Sequence, residues 1–173
     1  MRIFIVGPAA SGKTTIGKKL AKFLKVDFFD TDEKIEEKSG ANIAWIFDVE
    51  GEGGFRKREK RILSDTKNFE SCVISTGGGI VLDKENRKFI SSNGIVVYLR
   101  VSLKTQIQRT LFDKSRPLLK GNDKKEVLEK QFLERKNYYE EIADITIEEE
   151  KESRSKILEN IILSLRKREE CDK

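Results

Sequence analysis

The segment from Gly7 to Thr14 has the spacing of a phosphate-binding loop: a glycine, four residues, and then Gly12-Lys13-Thr14. In such a loop the backbone N–H groups and the N-terminus of the following helix bind phosphates. The lysine reaches the β- and γ-phosphates, and the threonine hydroxyl coordinates Mg²⁺. The alternative, a chance glycine-rich turn with a helix-capping threonine, requires the whole pattern to coincide with a preceding strand and a following helix.

Two carboxylates, Asp30 and Asp32, follow a predicted strand at Val26–Phe29. In an extended chain, residues i and i+2 point to the same side. One carboxylate could then hold a metal-bound water while the other contacts an acceptor hydroxyl. Alternatively, both are N-cap and first-turn acids of a helix that runs on from Glu33. The residues themselves leave both interpretations open.

Two arginines are candidates for binding an anionic substrate. Arg56 lies three residues before Glu59, on the same face of a predicted helix. The planar fork of a guanidinium matches the two oxygens of a carboxylate, whereas an exposed Arg–Glu pair contributes under about 1 kcal/mol. Arg135 interrupts an apolar helical stripe. It either packs its stem and places its head in water, or points at an anion.

Three consecutive glycines, Gly77 to Gly79, follow a predicted strand at Cys72–Ser75. Ligands bind at the carboxyl edge of an α/β sheet, and glycines allow the backbone to approach a small molecule closely. A plain flexible turn accounts for this segment equally well.

Five short apolar runs alternate with helical segments and must position these residues. They are Arg2–Val6, Val26–Phe29, Cys72–Ser75, Ile95–Leu99 and Ile145–Ile147. Such alternation indicates an α/β fold, a three-layer α/β/α arrangement around a five-stranded parallel sheet. The 173 residues are predicted to form a single domain.

Two stretches do not fit this alternation. After the second strand, helical pieces broken at Gly40 and at Gly51–Gly54 provide too much chain for one crossover helix. We therefore expect a helical substrate-binding insertion at about 32–61. The polar segment at about 111–123, which contains Arg116, is expected to be a mobile lid.

Composition excludes several kinds of site. The chain has no histidine, so histidine triads and histidine-ligated zinc are excluded, and acid–base chemistry must come from carboxylates or lysines. The two cysteines, Cys72 and Cys171, lie far apart and indicate neither a metal cluster nor a disulfide framework. A reducing cytoplasm is the expected compartment. No apolar run reaches the length of about 18 residues that a membrane span needs.

In their order along the chain, these segments resemble the shikimate kinase family, within the P-loop nucleoside monophosphate kinase-like group. The matching segments are Gly7 to Thr15, Phe29-Asp30-Thr31-Asp32, Ile46-Phe47 with Gly51-Glu52, Phe55-Arg56 with Glu59, Thr76 to Gly79, Arg109, Arg116 to Leu119, and Arg135 with Tyr138-Tyr139. They span nearly the whole chain, and their joint order is far more specific than any one of them. The resemblance favours functional roles for Asp32, Arg56, Gly78 and Arg135.

The resemblance implies transfer of the γ-phosphate of ATP to the 3-hydroxyl of shikimate. The products are shikimate 3-phosphate and ADP, in the biosynthesis of chorismate and aromatic amino acids. Asp32 is implied to contact the shikimate hydroxyls and to take or orient the 3-hydroxyl proton. Arg56 and Arg135 are implied to bind the shikimate carboxylate, and Gly77, Gly78 and Gly79 to line the ring.

On the nucleotide side, the resemblance implies ATP binding by the loop and two arginines: Ala10, Ser11, Gly12, Lys13, Thr14, Thr15, Arg109 and Arg116. Arg116 moves with the lid onto the phosphates and is implied to be catalytic together with Lys13 and Asp32. Arg109 stacks near the adenine. Thr14 binds Mg²⁺, and Asp30 assists through water.

Two residues depart from the family pattern. The loop of this family usually has a central glycine, where this chain has Ala10. An alanine is accommodated if its φ is negative, so we expect at most weakened nucleotide affinity. Ser75 ends the third strand in place of an acid. Metal binding is therefore expected to depend on Thr14 and water.

Three other functions are less well supported. A gluconate kinase shares Lys13 and Thr14, but the set of Asp32, two arginines and three glycines argues against it. A catalytically idle nucleotide-binding module need not keep that set. Nucleic-acid binding is suggested by the net charge, 35 Lys+Arg against 30 Asp+Glu. The interspersed acids and the lack of interleaved aromatic residues argue against it. We expect a monomer that binds shikimate and ATP and neither nucleic acid nor a membrane.

Overall fold

The computed structural model describes residues 1–110, 124–148 and 153–171. The predicted lid, and Arg116 within it, lie outside these ranges. The strands are β1 Arg2–Val6, β2 Asp27–Asp30, β3 Cys72–Ser75, β4 Ile95–Arg100 and β5 Ile145–Glu148. The α-helices are α1 Lys13–Leu24, α2 Thr31–Ser39, α3 Ile43–Asp65, α4 Lys84–Asn93, α5 Leu103–Thr110, α6 Lys124–Ile142 and α7 Arg154–Cys171. Short 3₁₀ turns occupy Thr66–Asn68 and Ile80–Leu82.

The five strands form one parallel sheet in the order β2-β3-β1-β4-β5. The central strand is β1, in which Ile3 pairs with Val73 on one side and Ile95 on the other. Strands inside a parallel sheet are covered on both faces, which is why β1, β3 and β4 are almost continuously buried, whereas the edge strand β5 alternates buried and exposed residues. The predicted five-stranded parallel sheet is confirmed, with strand ends shifted by about one residue.

Helices cover both faces of the sheet, so the chain forms three layers. One face packs against α1 and α7, with a core that includes Ile16, Leu20, Ile157, Ile161 and Leu165. The other face packs against α3, α4 and α6, with a core that includes Leu63, Ile90, Tyr139 and Ile142. Cys72 is buried in this second core as a free thiol, and burial raises its pKa to about 11.

The segment after β2 is entirely helical, as expected. Helices α2 and α3 share a small core of their own, formed by Ile35, Ile46, Phe55 and Ile62. Gly40 ends α2 with φ 64°, and α3 is kinked at Gly51, which has φ 69° and ψ −179°. Gly53 and Gly54 continue the helix, so the break is shorter than the sequence suggested.

An exposed ion pair bridges the kink of α3. Arg58 donates from Nε and Nη2 to the carboxylate of Glu50, at 3.0 and 2.7 Å. Its Nη1 also donates to Ser39 Oγ at 3.1 Å, so this guanidinium joins both parts of α3 to the end of α2. In the described parts of the chain, no helix combines the length and the apolar character needed to cross a membrane.

Candidate active site

The predicted site residues converge at the carboxyl edge of the sheet because parallel strands end there together. Strand β1 leads into the glycine-rich loop, β2 into the start of α2, and β3 into the three glycines. Since β1 lies between β3 and β4, the chain leaves its centre in opposite directions at this point. In open α/β sheets such a switch point is where ligands bind.

The loop between β1 and α1 encloses the ammonium group of Lys13. Gly7 has φ 148°, and a Cβ there would lie 2.7 Å from the carbonyl oxygen of Leu99, so the loop needs glycine at this position. Gly12 has φ 86° and immediately precedes α1. Lys13 Nζ donates to the carbonyls of Gly7 and Pro8, at 2.8 and 2.7 Å. The cation therefore lies within the cradle that the sequence assigned to phosphate.

Ala10 corrects an expectation. Its φ is +60°, in the left-handed region, whereas we expected an alanine to be accommodated with negative φ. A Cβ in this region approaches the following carbonyl, at a cost of about 1–2 kcal/mol. Arg109 Nη1 donates to the Ala10 carbonyl at 3.2 Å, which brings this predicted nucleotide-side residue onto the loop.

Asp30 and Asp32 do not extend along one strand. Helix α2 begins at Thr31, and the carboxylate of Asp30 caps it by accepting from the N–H groups of Asp32 and Glu33, at 3.0 and 3.4 Å. The extended i, i+2 geometry is therefore wrong, and the helix-cap interpretation describes the backbone correctly. The cap forms because a carboxylate satisfies N–H groups that the first turn of a helix leaves open.

Three oxygen ligands nevertheless meet beside the loop. Thr14 Oγ1 donates to Asp30 Oδ2 at 2.8 Å and lies 3.5 Å from Ser75 Oγ. Hydroxyl and carboxylate oxygens are what Mg²⁺ prefers, and Mg²⁺ usually keeps several waters and substrate phosphate oxygens as well. The described residues contain no group of three or more Cys, Asp or Glu side chains suited to a metal. The donor set thus fits a magnesium ion carried largely by nucleotide and water.

The three glycines form a tight turn that packs against the carboxylates Asp32 and Glu59 on one side and against the phosphate-binding loop on the other. Gly77 N donates to Thr31 Oγ1 at 3.0 Å. A Cβ on Gly77 would lie 2.8 Å from Asp32 Oδ1 and 2.9 Å from Glu59 Oε1, so these two carboxylates flank the turn. A Cβ on Gly78 would lie 3.4 Å from Ala9 N. The turn therefore joins the acidic side of the site to the phosphate-binding loop.

Arg56 and Glu59 form an ion pair that is buried on one side. Arg56 Nη1 donates to Glu59 Oε2 at 2.8 Å, and Glu59 is 0% exposed. The alternative of an ordinary exposed pair is wrong. Burial raises the pKa of Glu59, while the positive charges of Arg56 and Arg135 act in the opposite direction. On its outer side Arg56 donates from Nε and Nη2 to the exposed carboxylate of Glu52, at 3.3 and 3.0 Å.

Arg135 is buried with its charged group inside the molecule. The residue is 8% exposed. Burial raises the pKa of Glu59 and of the Tyr139 hydroxyl, and the positive charge of the Arg135 guanidinium opposes both rises. The interpretation in which its head reaches water is wrong. Arg135 Nε and Glu59 Oε1 are buried atoms without a hydrogen-bond partner in the described ranges. Buried polar atoms are nearly always satisfied, so these two atoms mark a place where water or a polar ligand can bind.

Two contributors to the site were not identified from the sequence. Thr31 accepts the Gly77 N–H, and the Tyr139 hydroxyl donates to the Gly78 carbonyl. Thr31 lies between two candidate carboxylates in the sequence. This position indicated that Thr31 is near the site, but not that its hydroxyl contacts the glycine turn. Tyr139 lies four residues after Arg135, one helical turn away, in a segment that resembles the family, but no role was predicted for it.

A sequence model described as shikimate kinase matches residues 9–166 of the chain. The chain belongs to the shikimate kinase family. The shikimate kinase of Actinobacillus succinogenes is 51% identical over 164 residues, covering 94% of this chain and 93% of the relative. Family membership makes the chain an ATP-dependent phosphotransferase.

Solved shikimate kinases have the same fold. The structure from Acinetobacter baumannii, described as a complex with shikimate, has a TM-score of 0.93 at 40% identity and covers 96% of this chain and 93% of its own. The Aquifex aeolicus shikimate kinase has a TM-score of 0.84 at 36% identity, covering 96% of each chain. The kinase fold predicted from the sequence is therefore confirmed along nearly its whole length.

Replacing Ala10 by glycine tests the backbone cost in the loop of this kinase. We expect Ala10→Gly to raise the free energy of unfolding by about 1 kcal/mol, because glycine adopts φ near +60° without the Cβ contact. Ala9→Gly is the matched control, since Ala9 has no positive φ. It should lower stability, because glycine gains entropy in the unfolded chain. Denaturant unfolding measures both, and an Ala10→Gly variant no more stable than Ala9→Gly would contradict the account.

Proposed function

We propose that the chain transfers the γ-phosphate of ATP to the 3-hydroxyl of shikimate, with the residues of this site in the roles described below. The observation that carries the proposal is the pair of arginines, Arg56 and Arg135, around buried Glu59 and next to Asp32. This pocket adjoins the phosphate-binding loop through the glycine turn. An acceptor that is small, anionic and hydroxylated matches such a pocket.

The carboxylate of shikimate binds to Arg56 and Arg135. Glu59 retains Nη1 of Arg56, whereas among the described residues Nε and Nη2 are held by Glu52 alone, whose side chain is 53% exposed. The substrate carboxylate can therefore displace Glu52 and take these two nitrogens as a bidentate pair. The Nε of Arg135 makes no hydrogen bond within the described residues and has only a 3.9 Å ion pair with Glu134 there, so it offers a further donor. Gly77, Gly78 and Gly79 line the ring because side chains there would fill the pocket.

Asp32 contacts the hydroxyls of shikimate and orients the 3-hydroxyl for attack. Its Oδ1 lies beside Gly77, on the side of the turn that faces Glu59. Phosphoryl transfer passes through a loose transition state in most analyses, so little proton transfer precedes the barrier. A well-placed hydrogen bond from the hydroxyl to Asp32 then matters more than the basicity of the carboxylate.

The loop binds the phosphates of ATP through its N–H groups, with Lys13 on the β- and γ-phosphates. Loop residues Ala10, Ser11, Gly12, Thr14 and Thr15 complete this side. Thr14 holds Mg²⁺, with Asp30 acting through water, and the ion neutralises charge on the phosphates when bound. Arg109 packs near the adenine, consistent with its contact to the loop. Arg116, outside the described residues, is assigned to the phosphates by the family resemblance alone.

Further expectations about domain organisation, oligomeric state, location and partners belong to this proposal. The chain acts as one domain, residues 1–173, with an acceptor-binding insertion at about 32–61 and a lid at about 111–123. It works as a monomer in the cytoplasm, and it binds neither nucleic acid nor a membrane. Helices α2 and α3 share an apolar core that is separate from the two cores on the sheet, and this supports the insertion as a distinct substructure.

A coupled ADP-release assay with Mg²⁺-ATP tests the reaction. We expect release with shikimate and none above background with gluconate, with a nucleoside monophosphate or without acceptor. Lys13→Ala should abolish release, because no other cation lies within the described part of the loop to meet the γ-phosphate. Release with another acceptor would refute the proposed substrate, and ATP binding without any release would refute the proposed reaction.

Removing Arg135 tests the carboxylate site. We expect Arg135→Ala to raise the KM for shikimate by about 10–100-fold, since a hydrogen bond to a charged group contributes about 1.5–3 kcal/mol. The KM for ATP should change little. Lys136→Ala, at the exposed neighbouring position of α6, is the matched control. Steady-state kinetics in both substrates decide, and an Arg135→Ala enzyme with unchanged shikimate KM would contradict the carboxylate site.

A methyl group on Gly79 tests the position of Arg56. The Cβ would overlap the Arg56 guanidinium, lying 2.6 Å from Nη1, whereas the Gly79 backbone (φ −98°, ψ 0°) suits alanine. We expect Gly79→Ala to raise the KM for shikimate about tenfold or more at nearly unchanged melting temperature. Gly53→Ala, in the same helix as Arg56 and with open space around it, is the control. Equal shikimate KM values in the two variants would count against Arg56 as a substrate ligand.

A further inference from the structure

Tyr139 is a buried tyrosine whose ring is fixed from one side by the sheet. It lies in α6, is 2% exposed, and stacks on Tyr98 of β4 with ring centroids 5.1 Å apart and planes at 22°. Aromatic stacking of this kind fixes the ring plane, and with it the direction of the hydroxyl. The hydroxyl group therefore has little freedom to choose partners.

The hydroxyl lies between the glycine turn and a buried cation. It donates to the carbonyl of Gly78. Arg135 is also buried and precedes Tyr139 by one turn of α6, so the two side chains lie on the same face of the helix, with the positive charge of Arg135 acting on the hydroxyl. Burial raises the pKa of Tyr139. The proton needed for the contact to Gly78 is therefore kept over the working range of pH.

The contact to Gly78 reaches beyond the acceptor pocket. A Cβ on Gly78 would be 3.4 Å from Ala9 N and 3.5 Å from Gly7 O, so this residue packs directly on the phosphate-binding loop. The carbonyl that Tyr139 holds thus belongs to the piece of backbone between the two substrates. A shift of that carbonyl changes the distance between the acceptor pocket and the phosphates.

We propose that Tyr139 is a positioning residue of this kinase: its hydroxyl holds the Arg135 guanidinium and the Gly78 carbonyl in one fixed relation. The acceptor carboxylate then binds Arg135 at a fixed position. With the carboxylate there, the ring lies along the glycine turn and next to the phosphate-binding loop. Tyr139 itself touches neither substrate. The inference rests on the proposed function in so far as Arg135 binds the acceptor.

Tyr139→Phe removes the hydroxyl and keeps the stacked ring. Tyr98→Phe is the matched control, because it also deletes the hydroxyl of a buried tyrosine of the same stack, whose ring centroid lies 5.6 Å from the guanidinium carbon of Arg100 and not against the site. We expect Tyr139→Phe to raise the KM for shikimate about tenfold, with kcat reduced less than about threefold and the KM for ATP within about twofold. Tyr98→Phe should leave all three within about twofold, at a similar change in melting temperature.

A double-mutant cycle separates positioning from general loosening. When Arg135→Ala has removed the cation, adding Tyr139→Phe should raise the shikimate KM less than about threefold, because the group that the hydroxyl orients is gone. Full multiplication of the two effects, or a Tyr139→Phe enzyme with the kinetics of Tyr98→Phe, overturns the inference.

The outcome for Tyr139 can be told apart from the outcome for the reaction itself. If the unmodified enzyme releases ADP with a different acceptor, the proposed substrate fails, and the same pair of tyrosine variants is compared with that acceptor. A selective rise in the KM for that acceptor in Tyr139→Phe then supports the positioning role. Equal kinetics for the two variants overturn it.

Discussion

The site depends on one electrostatic constraint, the carboxylate of Glu59 held entirely out of water beside two guanidinium groups. A buried charge is costly unless partners of opposite sign and hydrogen bonds compensate it. Here Arg56 supplies a hydrogen bond from the same helix, and Arg135 supplies charge from α6. Such an arrangement adds little net stability, but it demands one geometry. The relation between α3 and α6 is therefore set by the same group that sets the acceptor pocket.

The rest of the site follows from where parallel strands end. Strands β1, β2 and β3 are neighbours in the sheet, and their carboxyl ends provide the loop, the start of α2 and the glycine turn. In the proposed function each of these segments contributes a different chemistry: N–H groups for phosphate, a carboxylate for the hydroxyl, and a surface without side chains for the ring. The glycine turn contacts the other parts of the site, because its glycines leave room for Asp32, Arg56 and the phosphate-binding loop.

Most of the fold could be predicted from the sequence, because buried parallel strands are continuous apolar runs that periodicity detects. The phosphate-binding loop could also be predicted, since its own spacing carries the signal. The membership of Asp32, Arg56 and Arg135 in the site was predicted from the family resemblance, because each of these residues alone left two interpretations open. The roles of individual site residues stay predictions.

What could not be predicted depends on three-dimensional contacts. The sign of φ at Ala10 is set by the loop as a whole and runs against the preference of the residue. The burial of Glu59 involves residues far along the chain, since Gly77 lies against its carboxylate and the charge of Arg135 on α6 acts on it. The contact of Tyr139 joins residues 61 positions apart and leaves no periodic trace.

The kink at Gly51 divides α3 into a first arm, before the kink, and a second arm, after it, and the two arms differ in how firmly they are packed. After the kink, α3 is held by the buried side chains of Phe55, Glu59 and Ile62. Before the kink Ile46 is buried, whereas Trp45 and Val49 are exposed, and the bridge from Glu50 to Arg58 is a surface pair of the kind that contributes under about 1 kcal/mol. A segment with fewer buried side chains opens locally more readily, so the first arm of α3 is the less stable one. We therefore expect backbone amide hydrogens to exchange faster before Gly51 than after it.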